Sequence, residues 1–242
     1  MLGPVLIFIA GIAATVAVGA VALFYWQRHQ AAVAQAAAPE VRDAALPERT
    51  GPTSDPFAQY WSQRLFDLLE WRRFEWLVSA YIGQLGFEAR PVRIGEDGMI
   101  ELQGFEPGVE KPHMIVRCQA WNRNRVEVGA VEALHRQMLE TGVPQGAYFN
   151  TAGFSQAAMV FATNKEIDLV SGAELLSRLG ELPLATQTEL LDQLTDGDYT
   201  TPTCPACDQK MVRRVVVQGA QAGVYFWGCR NYPTCARTFP IA

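Results

Sequence analysis

Four cysteines crowd the C-terminal end of the chain: Cys204-Pro-Ala-Cys207, then Cys229 and Cys235. Two pairs of thiolates at this spacing give a closed tetrahedral S₄ site, which suits a structural Zn²⁺ ion. Between the pairs lie two β-type runs, Met211 to Gln218 and Gly223 to Trp227, joined by a Gly/Ala turn. A core this small needs a metal in order to fold. The bland alternative is four unrelated cysteines, and the paired spacing argues against it. The fifth cysteine, Cys118, stands alone on an apolar strand, where a thiol is usually a small packed hydrophobe.

A second constraint lies at the other end. No charged side chain occurs from Leu2 to Gln27, and Leu2 to Trp26 is almost wholly apolar. A helix needs about 20 such residues to cross the hydrocarbon core of a bilayer. Residues 2–27 are therefore expected to form a transmembrane helix, with Tyr25 and Trp26 at the headgroup level. A cleaved signal peptide is the rival, but it would carry a charged N-terminal region and a shorter apolar run. Arg28, Arg42 and Arg49 follow the helix and none precedes it. The expectation is a single-pass protein of the inner (cytoplasmic) membrane with its body in the cytoplasm. A reducing compartment also suits free thiols.

Residues 28–56, rich in Ala and Pro, read as a flexible linker. Helical spacing resumes from Trp61 through Leu85, with Gly86 as its stop. Three β-type runs follow, Phe87 to Ile94, Met99 to Gln103 and His113 to Trp121, the first two parted by the turn Gly95-Glu96-Asp97-Gly98. Val128 to Glu140 fits a helix, Gly146 to Asn150 a strand, Ser155 to Thr163 a helix and Glu166 to Val170 a strand. A last short helix begins near Gly172. The order predicts an α/β domain over residues 57–181, a mixed sheet flanked by helices. Residues 182–202 read as a second linker whose acids are solvated, and residues 203–242 as the ribbon.

Several segments of the middle domain carry a specific likeness. They are Phe74-Glu75, Leu85-Gly86-Phe87, the turn Glu96-Asp97-Gly98-Met99-Ile100-Glu101, and Val116-Arg117-Cys118-Gln119-Ala120-Trp121. Further on come Asn150-Thr151-Ala152-Gly153-Phe154-Ser155, Ala157-Ala158 and Ile167-Asp168-Leu169-Val170-Ser171-Gly172. In this order they resemble the Mrr-type (type IV) restriction endonuclease domain of the PD-(D/E)xK superfamily. The resemblance implies a restriction-endonuclease-like fold, DNA as partner, and Mg²⁺ as the cofactor of an active site.

It also implies site residues. The family's turn usually reads Asp-Gly-Gly-Ile-Asp and its next strand Gln-Cys-Lys. The metal-holding Asp falls on Glu101, the first Asp of the turn on Asp97, and the Glu of the first helix on Glu75. The usual Gln becomes Arg117, and the usual catalytic Lys becomes Gln119. Glu101 keeps a carboxylate for metal, whereas Gln119 carries no charge with which to stabilise a transition state. Arg117 shares a strand face with Gln119, so a positive charge stays near the site but shifted by one strand repeat. For Asp97 simple turn-making weighs as much as a catalytic role, and Glu75 could be a plain helix-surface charge. Neither a Ser-His-Asp nor a Cys-His arrangement is supported, and no small-molecule cofactor is expected.

The residues around the last cysteines, Phe226-Trp227-Gly228-Cys229 and Asn231-Tyr232-Pro233-Thr234-Cys235, are similar to the C-terminal zinc ribbons of type IA DNA topoisomerases. That resemblance implies binding to DNA, single strands included. Local charge agrees: from Thr201 onward Lys210, Arg213, Arg214, Arg230 and Arg237 face only Asp208, in a chain whose net charge is −5. Tyr225, Trp227 and Tyr232 offer rings for base stacking, unless they pack the small core instead. Two functions remain open on sequence. One is a membrane-anchored Mg²⁺-dependent endonuclease of Mrr type, acting as a homodimer if it cuts both strands. The other is a membrane-tethered DNA-binding protein whose nuclease fold is catalytically silent. The Arg117/Gln119 pair separates them.

Overall fold

The structure is a computed structural model that describes residues 41–43, 60–94, 99–119 and 124–241. The expected membrane helix at 2–27, most of the linker at 28–56 and the turn holding Asp97 lie outside the described residues. Among the described residues no helix is long and apolar enough to cross a membrane. Two compact units are present. Of the described residues, 60–94, 99–119, 124–213 and 226–241 form the larger, and 41–43 with 214–225 the smaller.

In chain order the elements are β1 (Val41–Asp43), α1 (Gln63–Leu68), α2 (Trp71–Gln84), β2 (Glu88–Ile94), β3 (Ile100–Phe105), β4 (Met114–Gln119) and α3 (Val128–Thr141). Then come β5 (Gln145–Asn150), α4 (Gln156–Ala162), β6 (Ile167–Ser171), α5 (Gly172–Gly180), α6 (Leu184–Thr195), β7 (Met211–Val216), β8 (Tyr225–Cys229) and β9 (Thr238–Pro240). Strands β2 to β6 form one sheet in sequence order. The β2–β3 and β3–β4 pairs are antiparallel, and the β4–β5 and β5–β6 pairs parallel. This is the mixed sheet expected. Pro91 sits on the edge strand β2 beside a shift in register, a place where a missing N–H costs little.

Strand alternation sorts the side chains into two layers. Ile100, Leu102, Val116 and Cys118 pack with Phe74, Leu77 and Val78 of α2. Ile115 and Tyr148 pack on the other face with Val131, Leu134 and Met138 of α3 and with Phe154. Glu101 and Arg117 therefore belong to the α3 face. All six residues of β4 are buried, as a central strand demands.

Two differences from the sequence expectation stand out. The helical stretch from Trp61 to Leu85 is two helices, parted by Leu69 and Glu70 in extended conformation (ψ 132° and 158°). Residues 182–202 are not a bare linker but hold α6. Its Leu190 and Leu194, with Tyr199, join the core around α2. Arg73 of α2 donates to the carbonyls of Gln193 (2.9 Å) and Asp196 (2.5 Å), satisfying acceptors that the end of α6 leaves open. Asp198 is occupied in its own turn, where its carboxylate accepts from the Thr200 and Thr201 amides.

In the smaller unit β1 pairs antiparallel with residues 214–216, Val41 opposite Val216 and Asp43 opposite Arg214. Part of the stretch expected as linker is thus a strand there. Val216 and Val224 close the adjoining hairpin through the Val216 amide and the Val224 carbonyl (3.0 Å).

Candidate active site and metal centre

Glu101 lies directly opposite Arg117 across the β3–β4 ladder. Both are almost completely buried, at 3% and 8% exposure. Arg117 Nε stands 3.6 Å from Glu101 Oε2, an ion-pair distance longer than a hydrogen bond. Gln137 of α3 joins them: its Nε2 donates to Glu101 Oε1 at 2.6 Å, and its Oε1 accepts from Arg117 NH2 at 2.7 Å. Arg117 NH1 also donates to the Ala130 carbonyl at 3.3 Å. The carboxylate expected to hold a metal is thus engaged by a guanidinium and an amide of its own chain. A buried charge needs such compensation.

Gln137 was not singled out from sequence. The signal was available, since it follows Leu134 by three residues and so lies on the inward stripe of α3. Gln119 sits on the same strand face as Arg117 and is 7% exposed. Its carbonyl accepts from Asn150 Nδ2 at 3.4 Å. Glu101, Arg117 and Gln119 are therefore brought to one face of adjacent strands.

Glu75 is not with them. Its helix packs on the opposite layer, where Ser79 Oγ donates to Glu75 Oε1 at 3.4 Å. Burial raises the Glu75 carboxyl above its ordinary value, against the pull of Arg72. The thiol of Cys118 is pushed well up by burial, and the charge of Glu75 adds to the rise. Because the folded-state value of Glu75 is raised, its contribution to stability is full below the ordinary carboxyl value and is lost as pH rises through the folded value. Glu75→Gln should accordingly raise the thermal unfolding midpoint at pH 7 to 8. That gain should vanish as the pH falls toward the ordinary carboxyl range, which thermal scans across that span check.

Cys204, Cys207, Cys229 and Cys235 converge, with their sulfurs all within 4.8 Å of one another. The Cys204–Cys235 and Cys207–Cys229 sulfurs are 3.7 and 3.3 Å apart. A tetrahedral site with Zn–S bonds of about 2.3 Å sets its sulfurs roughly 3.8 Å from each other. The donor set and its size thus fit Zn²⁺. Asp208 takes the left-handed conformation (φ 56°) that turns the first knuckle, and its amide donates to the Cys204 carbonyl at 2.9 Å. Donors also reach sulfur: the Asn231 amide lies 3.4 Å from Cys229 Sγ, and Asn231 Nδ2 lies 3.5 Å from Cys207 Sγ. Such contacts favour thiolate over thiol.

The residues expected to meet DNA divide. Arg230 and Tyr232 are exposed, Tyr232 at 61%. Tyr225, in the smaller unit, is exposed as well. Trp227 is half-buried and packs against the core that holds Phe239 and Cys229, and Arg213 is half-buried. Arg214 places Nε 3.3 Å from Asp43 Oδ1.

Comparison with known proteins bears on the larger unit. Residues 66–179 match the Mrr_cat family, described as restriction endonuclease. This segment is a restriction-endonuclease-like domain. Among solved structures, MspJI restriction endonuclease in complex with a 27-mer oligonucleotide is 17% identical, with a TM-score of 0.34, over 54% of this chain and 33% of that one. The DNA modification-dependent restriction endonuclease AspBHI is 18% identical, with a TM-score of 0.34, over 64% of this chain and 44% of that one. The chain thus spans less than half the length of either. No curated protein matches it. The family match ends before the four cysteines.

Proposed function

We propose that this protein binds DNA through a restriction-endonuclease-like domain whose cleavage site is closed by its own side chains. The observation that carries this reading is the Glu101–Gln137–Arg117 network. A divalent cation held by Glu101 would have to displace a buried guanidinium from beside that carboxylate. The position that matches the family's catalytic lysine holds the neutral Gln119. Four thiolates holding Zn²⁺ give the C-terminal ribbon its core, and exposed Arg230 and Tyr232 offer single-stranded DNA a charge and a ring. The apolar run at 2–27 tethers the body to the inner membrane, on its cytoplasmic side.

A second reading has its own support: Glu101 and Arg117 still set a carboxylate and a cation on adjacent strands. On that reading the protein is an Mg²⁺-dependent endonuclease, Glu101 holds the ion, Arg117 stabilises charge on the phosphate, and a homodimer cuts both strands. The deciding experiment is incubation of methylated and unmethylated plasmid with the detergent-purified full chain and Mg²⁺ or Mn²⁺, beside Glu101→Ala, with DNA binding recorded on the same samples. Binding without nicking is expected. Metal-dependent nicking that disappears in Glu101→Ala would replace the first reading with the second. In the same binding assay Tyr232→Ala should weaken the hold on single-stranded DNA by about 1–3 kcal/mol, the worth of one stacked base.

A further inference from the structure

The loop between Leu68 and Trp71 holds a carboxylate that neither site uses. Glu70 is 1% exposed, and both its oxygens are taken. Oε2 accepts from the amides of Arg72 and Thr203, each at 3.1 Å. Oε1 accepts from Thr203 Oγ1 at 2.9 Å and from Lys210 Nζ at 3.1 Å. Capping the N-terminus of α2 explains only the bond to Arg72, and glutamate is not a favoured residue for that task. The other three contacts go to residues that flank the first cysteine pair.

Thr203 is held at a third atom, since Trp71 Nε1 donates to its carbonyl at 2.6 Å in a buried contact. Thr203 directly precedes Cys204. From there the knuckle closes through the Cys204 amide on the Gln209 carbonyl at 2.8 Å. Arg72 meets Asp208 at the turn of the same knuckle. Three consecutive residues at the start of α2 therefore grip the loop from Thr203 to Lys210, and Cys204 is buried in the same core as Phe74 and Leu77.

We propose that Glu70 is the positioning residue of the metal knuckle, so that zinc binding and the folding of α2 are one linked event. This rests on the reading of the four cysteines as a zinc site. The linkage is reciprocal: whatever the metal contributes to the order of residues 203–210 it contributes to the start of α2, and loss of the Glu70 contacts weakens the metal. The ribbon's first knuckle is accordingly built into the nuclease-like domain, and metal loss reaches the helix that carries Glu75.

The test uses the full chain loaded with zinc. Its affinity is read by competition with a chromogenic chelator, and tryptophan emission is followed as metal is removed. Glu70→Gln should raise the dissociation constant for zinc roughly 10–100-fold, as loss of a group that orients metal ligands does elsewhere. Lys210→Met, which takes one partner from the Glu70 carboxylate, should give a smaller rise in the same direction and serves if Glu70→Gln does not fold. Glu189→Gln, on the exposed side of α6, should match the wild type. Removal of metal should change the emission of the wild type, and that change should be smaller in Trp71→Phe. Zinc affinity unaltered by Glu70→Gln, or by Lys210→Met where that variant is the one read, overturns the linkage alone. A wild-type chain that binds no zinc overturns the metal reading and the linkage together.

Discussion

Arg117→Met should destabilise the chain by about 3–5 kcal/mol, the usual result of leaving one member of a buried ion pair without its partner. Glu101 would remain buried without the guanidinium that faces it, while Gln137 still donates to it, in a layer closed by Val131, Leu134 and Met138. Adding Glu101→Leu to the same chain should return most of the loss, because replacing both charges by apolar groups of similar size is often neutral. Urea unfolding of the two single variants and the double variant closes the cycle. A small cost for Arg117→Met would mean that the guanidinium is not what holds Glu101. The closed-site reading would then lose its main support.

The sheet and the helices from Val128 to the start of α5 were legible from sequence because each has a strong local period. Val131, Leu134 and Met138 recur at helical spacing, and Ile115 and Val116 are β-branched residues of a wholly buried strand. What sequence hid were contacts between distant segments. Glu70 and Thr203 are far apart in the chain, so nothing local marks them as partners. Helix α6 was missed because its Thr and Gln residues and the acids after it read as solvated chain. Its Leu190 and Leu194 become a core stripe only where α2 is there to receive them.

The site was legible in a different way. Arg117 and Gln119 could be placed on one face by alternation alone, whereas Glu101 joins them only through the β3–β4 register. Glu75 could not be separated from them, since a helix position does not say which side of a sheet the helix covers. Arg117 also changes meaning with the structure. In sequence it is a cation near the position of a missing lysine, whereas in the fold it is spent on Glu101, Gln137 and the Ala130 carbonyl.

That difference leads to a prediction of gained activity. Arg117→Gln together with Gln119→Lys restores the family's Gln-Cys-Lys order around Cys118 and moves the cation one strand repeat along the same face. Glu101 keeps a positive neighbour, so the full cost of stranding a buried charge is avoided, yet the guanidinium no longer crowds it. If these two residues are what closes the site, the double variant should nick plasmid with Mg²⁺ or Mn²⁺ at least about 100-fold faster than the wild type, the scale on which one charge-stabilising group acts. Addition of Glu101→Ala should abolish the gain. A folded double variant that binds DNA as before and leaves plasmid intact would show that the closure lies elsewhere. In that event Arg117 and Gln119 are consequences of a lost activity rather than its cause.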